Sequence, residues 1–404
     1  MTTTTIAETK RIQEFIAKRL AHYQELALDI HDHPEVSNYE FHAAEVLSQQ
    51  LKAEGFAVEI DVAGHRTGFD ARYKSGKPGP TIAFLAEYDA LPGIGHACGH
   101  NLFGTTSLLA ASALKEIIEE VGGEIRVYGT PGEEGGENGS AKGSFVREGF
   151  FTDVDAALCV HPAHRYSQTL PSLANDPVDV KFYGRASHAA AAPEKGINAL
   201  DAILQVYNSV NALRQHLPQD VKIHGVITNG GVAANVVPEF AAARFYLRAA
   251  TRSTLNEVYQ KFDRIVQGAA LATGCTYDFG LFQNSVDDTV LTPLFDEVFF
   301  KHLKDLNLPA NEISTEIPDS YGSSDVGNVS QVIPTIQPTV SISDDYIAGH
   351  SEEFKAAARS EKGLASIAIG AELLAKTALD LIQQPELLQE IKEQHQKNLQ
   401  AQTS

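Results

Sequence analysis

Thr81-Ile82-Ala83-Phe84-Leu85-Ala86-Glu87-Tyr88-Asp89-Ala90-Leu91-Pro92-Gly93-Ile94-Gly95-His96-Ala97-Cys98-Gly99-His100-Asn101 is the stretch that decides the fold. Its first eight residues form an apolar run of strand length, and turn-forming residues follow. A helical stretch over 104–120 comes next. A continuous apolar strand leading through a loop into a helix reads as one unit of a parallel α/β sheet. Functional groups in such sheets gather at the carboxyl ends of the strands, which is where Glu87, Asp89, Cys98 and His100 fall. Cys98 and His100 are one residue apart and can turn toward one point from an extended loop. A thiolate and an imidazole both suit zinc. A cysteine alone is more often a buried free thiol; beside His100 and the two carboxylates, metal binding is the better reading.

Working outward, apolar periodicity predicts an amphipathic helix over 5–30, ended by Pro34, and a second over 41–53, stopped at Gly55. Strand-length runs follow at 57–62, 124–130 and 156–160. The texture changes near Pro177, where Val178, Val180 and Phe182 alternate with polar residues. From there the order is strand, helix (198–217), strands (224–228 and 240–250), helix (254–273) and strand (276–282). That order is the pattern of a small α+β, ferredoxin-like sandwich. The α/β texture returns at Leu291 and closes with helices over 362–382 and 385–398; residues 395–404 read as a frayed polar tail. The expectation is an α/β catalytic domain, 1–177 with 292–404, whose mostly parallel sheet is flanked by helices. A smaller lid or dimerisation domain, 178–291, interrupts it.

Composition bounds the partners. The chain has 404 residues and a formal net charge of −20, which argues against nucleic acid and against an anionic membrane surface. Three scattered cysteines make no disulfide framework. The opening MTTTTIAETKR shows no basic region followed by an apolar one, and no window approaches a membrane span, so a cytoplasmic protein is expected.

Other candidate groups follow, with Glu133, Glu134, His161 and His188 after strand-like runs and His350 before an amphipathic segment. Glu133 and Glu134, flanked by glycines, are costly to bury unless a cation or proton compensates. One can hold a metal while its neighbour takes a proton. His161 and His350 are candidate ligands, and His188 and Asn235 are polar groups able to bind a carbonyl. Read singly, each of these is as well explained as an exposed turn, loop or cap residue.

In order, Asp89 to Pro92, His96 to Asn101, Glu133 to Gly136, His161-Pro162, Gly184 to His188, Asn235 to Pro238, Gly322 to Asn328 and Gly349 to Ser351 form a specific set. The set resembles the dinuclear zinc metallopeptidase and amidohydrolase family of aminoacylases and glutamate carboxypeptidases. The nearer likeness is to its p-aminobenzoyl-glutamate hydrolase and dipeptide-hydrolysing branch. The resemblance implies five metal ligands, Cys98, His100, Glu134, His161 and His350, with Cys98 spanning two divalent ions. Zn2+ suits the donors, with Mn2+ or Co2+ as alternatives. It implies Glu133 as general base, Asp89 orienting a ligand histidine, and His188 polarising the scissile carbonyl in a partner subunit's site. Asn235 matches a substrate-contacting position. Arg248 is the candidate for a substrate carboxylate, with a structural role on its strand equally open. Gly132 stands where many relatives have alanine. The implied activity is hydrolysis of a small amide, such as a dipeptide, N-acyl amino acid or p-aminobenzoyl-glutamate-like conjugate, by a metal-activated water. The implied assembly is a homodimer or higher homo-oligomer. The rival is a catalytically inactive metal- or ligand-binding regulatory protein on the same fold.

Overall fold

The computed structural model describes residues 3–136, 138–318 and 321–403. The chain opens with helices α1 (Thr3–Asp32) and α2 (Phe41–Ala53), then strands β1 (Ala57–Val62), β2 (His65–Lys74) and β3 (Thr81–Ala86). Helix α3 (His100–Val121), β4 (Glu124–Gly129), α4 (Ala141–Arg147), β5 (Ala156–Leu158), β6 (His161–Ala163) and β7 (Tyr166–Ser167) follow. The middle of the chain holds β8 (Ala174–Tyr183), α5 (Ala199–Leu213), β9 (Lys222–Asn229), β10 (Phe240–Ala249), α6 (Arg252–Thr273) and β11 (Thr276–Leu281). The last part holds α7 (Pro293–Asp305), β12 (Ile313–Ser314), α8 (Val326–Ser330), β13 (Thr335–Ile336), β14 (Thr339–Ser341), α9 (Glu352–Ala357), α10 (Glu361–Gln383) and α11 (Pro385–Thr403).

These elements form two compact units, Met1–Pro171 with Thr289–Ser404, and Ser172–Asp288. The larger unit is a three-layer α/β structure on a six-stranded sheet of order β1-β2-β4-β3-β5-β13. β3 is its central strand and shows why. Ile82, Phe84 and Ala86 enter one core with α1, α3 and α10, while Ala83 and Leu85 enter a second with Phe145 of α4 and Val326 of α8. A strand buried on both faces must be apolar throughout, which is the run read from the sequence. In α1, Ile12, Ile16, Tyr23, Ala27 and Ile30 line one buried stripe, as a helical period requires.

The sheet is mixed. β3 pairs parallel with β4 and β5, and β13 with β5, whereas β1–β2 and β2–β4 are antiparallel. Strand β2 was not expected: it carries His65, Arg66, Asp70, Arg72 and Lys74, and tertiary pairing rather than local apolarity buries it. The hairpin before it turns at Ala63 and Gly64, both with positive φ. The tail is not frayed. Helix α11 runs to Thr403, and His395 is buried with Nε2 2.6 Å from the Ser330 carbonyl. The polar sequence concealed inward contacts there, since Asn398 and Gln402 also donate to the Leu291 and Thr289 carbonyls at 2.8 and 3.2 Å.

The smaller unit is the expected α+β sandwich. Its antiparallel strands lie in the order β11-β8-β10-β9, with α5 and α6 packed on one face. Val178, Val180 and Phe182 point into that core, while Asp179 and Lys181 are only half-buried. Asn198 caps α5 by accepting from Leu200 N and Asp201 N. No helix among the described residues is long and apolar enough to cross a membrane.

Candidate metal centre

The site in the larger unit is built on the end of β3. His100 is the first residue of α3 and not part of the preceding loop, so that helix begins four residues before the expected start. Gly99 makes the entry, at φ 77°, and a Cβ there would lie 3.0 Å from the Pro162 ring and 3.3 Å from Phe354. Only glycine tolerates both the left-handed backbone and the contact. Gly132, before the paired glutamates, is equally constrained at φ 76°. A Cβ on it would meet Asn38 Nδ2 at 2.6 Å and the Gly139 carbonyl at 2.7 Å.

Asp89, 1% exposed, orients the site. Its Oδ1 accepts from His100 Nδ1 at 2.9 Å, and its Oδ2 accepts from Ser37 Oγ at 2.8 Å and Glu134 N at 2.9 Å. Burial alone would raise its pKa, but the His100 charge and these hydrogen bonds outweigh it and hold the carboxyl at about 2. With Nδ1 donating to Asp89, His100 presents Nε2 inward. His161, at the start of β6, donates Nδ1–H to its neighbour's carbonyl, Pro162 O, at 2.8 Å and turns Nε2 to Cys98 Sγ at 3.5 Å. Burial, then the nearby His100, lowers the His161 pKa and favours the neutral ring that could take a metal.

Three groups of potential ligands result, each with one donor atom per residue within 4.8 Å of the others. They are Cys98, His100 and His161; Cys98, Glu134 and His350; and Glu87, His100 and Glu133. Cys98 belongs to the first two. His350 reaches the second from a left-handed backbone, φ 61°, held by its N–H to the Ala97 carbonyl at 3.0 Å, and its Nε2 lies 3.3 Å from Glu134 Oε1. A non-glycine residue in that region is strained, and strain of this kind gathers at functional sites.

A cation fits this donor set. The Cys98 thiol is pushed up strongly by burial, so a thiolate there needs a positive partner. His100 Nε2 and Glu87 Oε2 face each other at 3.1 Å without hydrogen-bond geometry, and Glu134 Oε1 is buried with no hydrogen-bond partner among the described residues, its nearest basic group being His350 Nε2 at 3.3 Å. Burial first, then the carboxylates of Glu87, Glu134 and Asp325, push Glu133 well above the ordinary glutamate range. These clustered Cys, His and Glu side chains make a site for divalent metal.

Sequence reading gave no role to Lys142, Asp325 or Ser37. Lys142 is fully buried between Glu87 Oε1 at 2.7 Å and Asp325 Oδ1 at 2.6 Å. It stands in the otherwise uncharged stretch Ala141 to Val146, and a lone lysine in such a stretch was the available signal. Ser37, the donor to Asp89, carried none.

In the smaller unit, His188 and Asn235 lie on adjoining loops. Ala189 N donates to the Asn235 carbonyl at 3.0 Å, and His188 bridges to Val236. Exposed His188 accepts at Nδ1 from Ala190 N and Ala191 N at 3.2 and 3.1 Å, which puts the neutral ring's proton on Nε2 as a donor. Arg248 is not with them. It sits half-buried near the far end of β10, opposite Asn175, with its guanidinium 5.5 Å from the Tyr246 ring centre.

The chain is 34% identical over 391 residues to the Xaa-Arg dipeptidase of Homo sapiens, covering 93% of this chain and 89% of that protein. It belongs to the M20 family of dinuclear metal-dependent peptidases and amidohydrolases. Residues 177–273 match the family's peptidase dimerisation domain. One of the p-aminobenzoyl-glutamate hydrolase subunits of Escherichia coli is 40% identical over 277 residues, 63% of this chain and 56% of that protein. In fold, an aminobenzoyl-glutamate utilization protein from Klebsiella pneumoniae superposes with TM-score 0.73 at 20% identity, over 92% of this chain and 99% of that one. A dinuclear metal-binding M20 peptidase from Bacillus subtilis gives TM-score 0.65 at 17% identity, over 91% and 99%. This M20 chain is therefore a metal-dependent amidohydrolase or peptidase for small amide or peptide substrates.

Proposed function

We propose that this M20 enzyme hydrolyses dipeptides, N-acyl amino acids or p-aminobenzoyl-glutamate-like conjugates in the cytoplasm. Two zinc ions would be held by Cys98, His100, Glu134, His161 and His350. The observation that carries this reading is the sharing of Cys98 between two three-ligand groups, with the Glu133 carboxyl in a third group beside His100. When bound, the ions supply Lewis-acid polarisation and bring a water's pKa toward neutrality. Zinc is favoured over manganese because the donors are a thiolate and three imidazoles with one carboxylate.

The chain's own groups do the rest. Glu133 takes a proton from the attacking water and passes it to the leaving amine. Burial and its crowding by Glu87, Glu134 and Asp325 raise its affinity for a proton, which supports that role. Asp89 holds His100 in one tautomer and orientation. His188 offers Nε2–H to the carbonyl oxygen as negative charge develops there. Asn235, on the adjoining loop, contacts substrate, and Arg248 remains a candidate for its carboxylate. The catalytic domain is taken as 1–177 with 292–404, and 178–291 as the lid through which a homodimer forms. The dimerisation-domain match supports that assembly.

The test is Glu133→Gln, assayed by hydrolysis of a dipeptide panel and p-aminobenzoyl-glutamate, with metal content measured in parallel. The variant should retain metal and fold while turnover drops ~10²–10⁴-fold. Near-wild-type turnover would remove the base assignment, and chelator-resistant hydrolysis in the wild type would remove the metal.

A further inference from the structure

We propose that Asp29, His33 and His42 form a second, peripheral metal site, for a borderline divalent transition ion such as Zn2+. The three side chains offer one ligand atom each, all within 4.8 Å of one another. None of them belongs to the groups built around Cys98 and His100.

The placement follows from two helix ends. Asp29 and His33 are four residues apart where α1 finishes, so they stand on one face, one turn apart. His42 is the second residue of α2. Asp29 Oδ2 lies 2.7 Å from His42 Nε2, and its Oδ1 lies 3.2 Å from His33 Nδ1. The two imidazole rings are 4.7 Å apart, centre to centre. One carboxylate thus gathers two imidazoles, and an ion would replace the His42–Asp29 carboxylate hydrogen bond, and the one His33 Nδ1 makes to the Asp29 carbonyl at 2.9 Å, with coordinate bonds.

The backbone is held for the purpose. Glu35 accepts from His42 N at 3.0 Å and Ala43 N at 3.1 Å, and His33 N donates to the Asp29 carbonyl at 3.1 Å. Ligands already in place lose little freedom on binding. Two nitrogens and one oxygen suit zinc, copper or nickel, whereas calcium and magnesium want oxygen alone. The side chains are 35–59% exposed, so water can complete the coordination.

A bound ion would staple α1 to α2 across residues 34–40. Ser37 of that segment donates to Asp89, and its Glu35 carbonyl accepts from Ala90 N at 2.8 Å. The staple therefore clamps the support of the main centre without touching its ligands, and occupancy should raise the unfolding temperature.

The full chain is dialysed to equilibrium against zinc chloride and bound zinc is counted by mass spectrometry, for wild type and for H33Q/H42Q. The wild type should hold one ion more per chain, and equal counts would overturn the proposal. Zinc-edge anomalous diffraction from wild-type crystals gives an answer that needs no variant to fold. A peak between Asp29, His33 and His42 supports the site, and its absence at saturating zinc refutes it. Failure of the main centre would remove density beside Cys98 instead, so the two outcomes are distinguishable.

Discussion

Lys142 supplies the sharpest test of the electrostatic reading. Its ammonium is fully buried, 2.7 Å from Glu87 and 2.6 Å from Asp325, and those carboxylates are themselves no more than 1% exposed. Lys142→Met preserves most of the volume but leaves both acids without their cation. Removing one partner of a buried pair costs ~3–5 kcal/mol, because a charge stays behind in a medium that solvates it poorly. Here two charges stay behind, so the upper end is expected for the metal-free protein. Urea unfolding followed by circular dichroism measures it. The loss should shrink as pH falls, because protonating Asp325, whose carboxyl burial pushes up to about 6, removes part of the uncompensated charge. The triple variant E87Q/K142M/D325N, which carries no charge at these positions, should recover much of the stability. A loss below ~1 kcal/mol for Lys142→Met, or a triple variant no more stable than the single one, would refute the reasoning.

Three further outcomes are expected. Cys98→Ala should lower the metal content per chain while far-UV circular dichroism stays unchanged; undiminished stoichiometry would count against a shared thiolate ligand. His188→Ala should leave metal content intact and reduce kcat more than it raises KM, because in the proposed mechanism its Nε2–H would act on charge that develops in the transition state; a pure KM effect would make it a ground-state contact. Asp296 is 3% exposed, and burial pushes its pKa up to about 6, against hydrogen bonds from Thr169. The folded state thus binds the proton more tightly than the unfolded state. Its contribution is fully present below pH ~4 and lost as pH rises through ~6, a change of ~3 kcal/mol. Asp296→Asn should flatten that part of the stability profile, and an identical slope in the variant would defeat the assignment.

The strands read correctly from sequence are those whose burial is written into their own composition. β3 is apolar on both faces because both faces meet cores, and α1 and α5 carry their buried stripes at helical spacing. The order of elements in the smaller unit was legible for the same reason. β2 was not, because alternating charged residues leave an apolar face too weak to recognise until β1 and β4 pair with it. The start of α3 was misplaced because Gly99 looks like a loop residue, and its left-handed cap becomes apparent only against Pro162 and Phe354.

The same division holds at the site. Residue types and order along the chain were enough to name Cys98, His100, Glu133, Glu134, His161 and His350 as candidates, because thiolate, imidazole and carboxylate carry their chemistry wherever they stand. Which of them share a neighbourhood is a property of distance, and these residues span positions 98 to 350. Only the tertiary structure decided that Lys142 stands between Glu87 and Asp325 and that Ser37 helps hold Asp89, while the sharing of Cys98 that the resemblance implied needed Glu134 and His350 to be brought beside it. It also set Arg248 at the other end of its strand from His188 and Asn235. A side chain's chemistry is local to the sequence, whereas its burial, charge partners and hydrogen bonds come from segments brought together by folding.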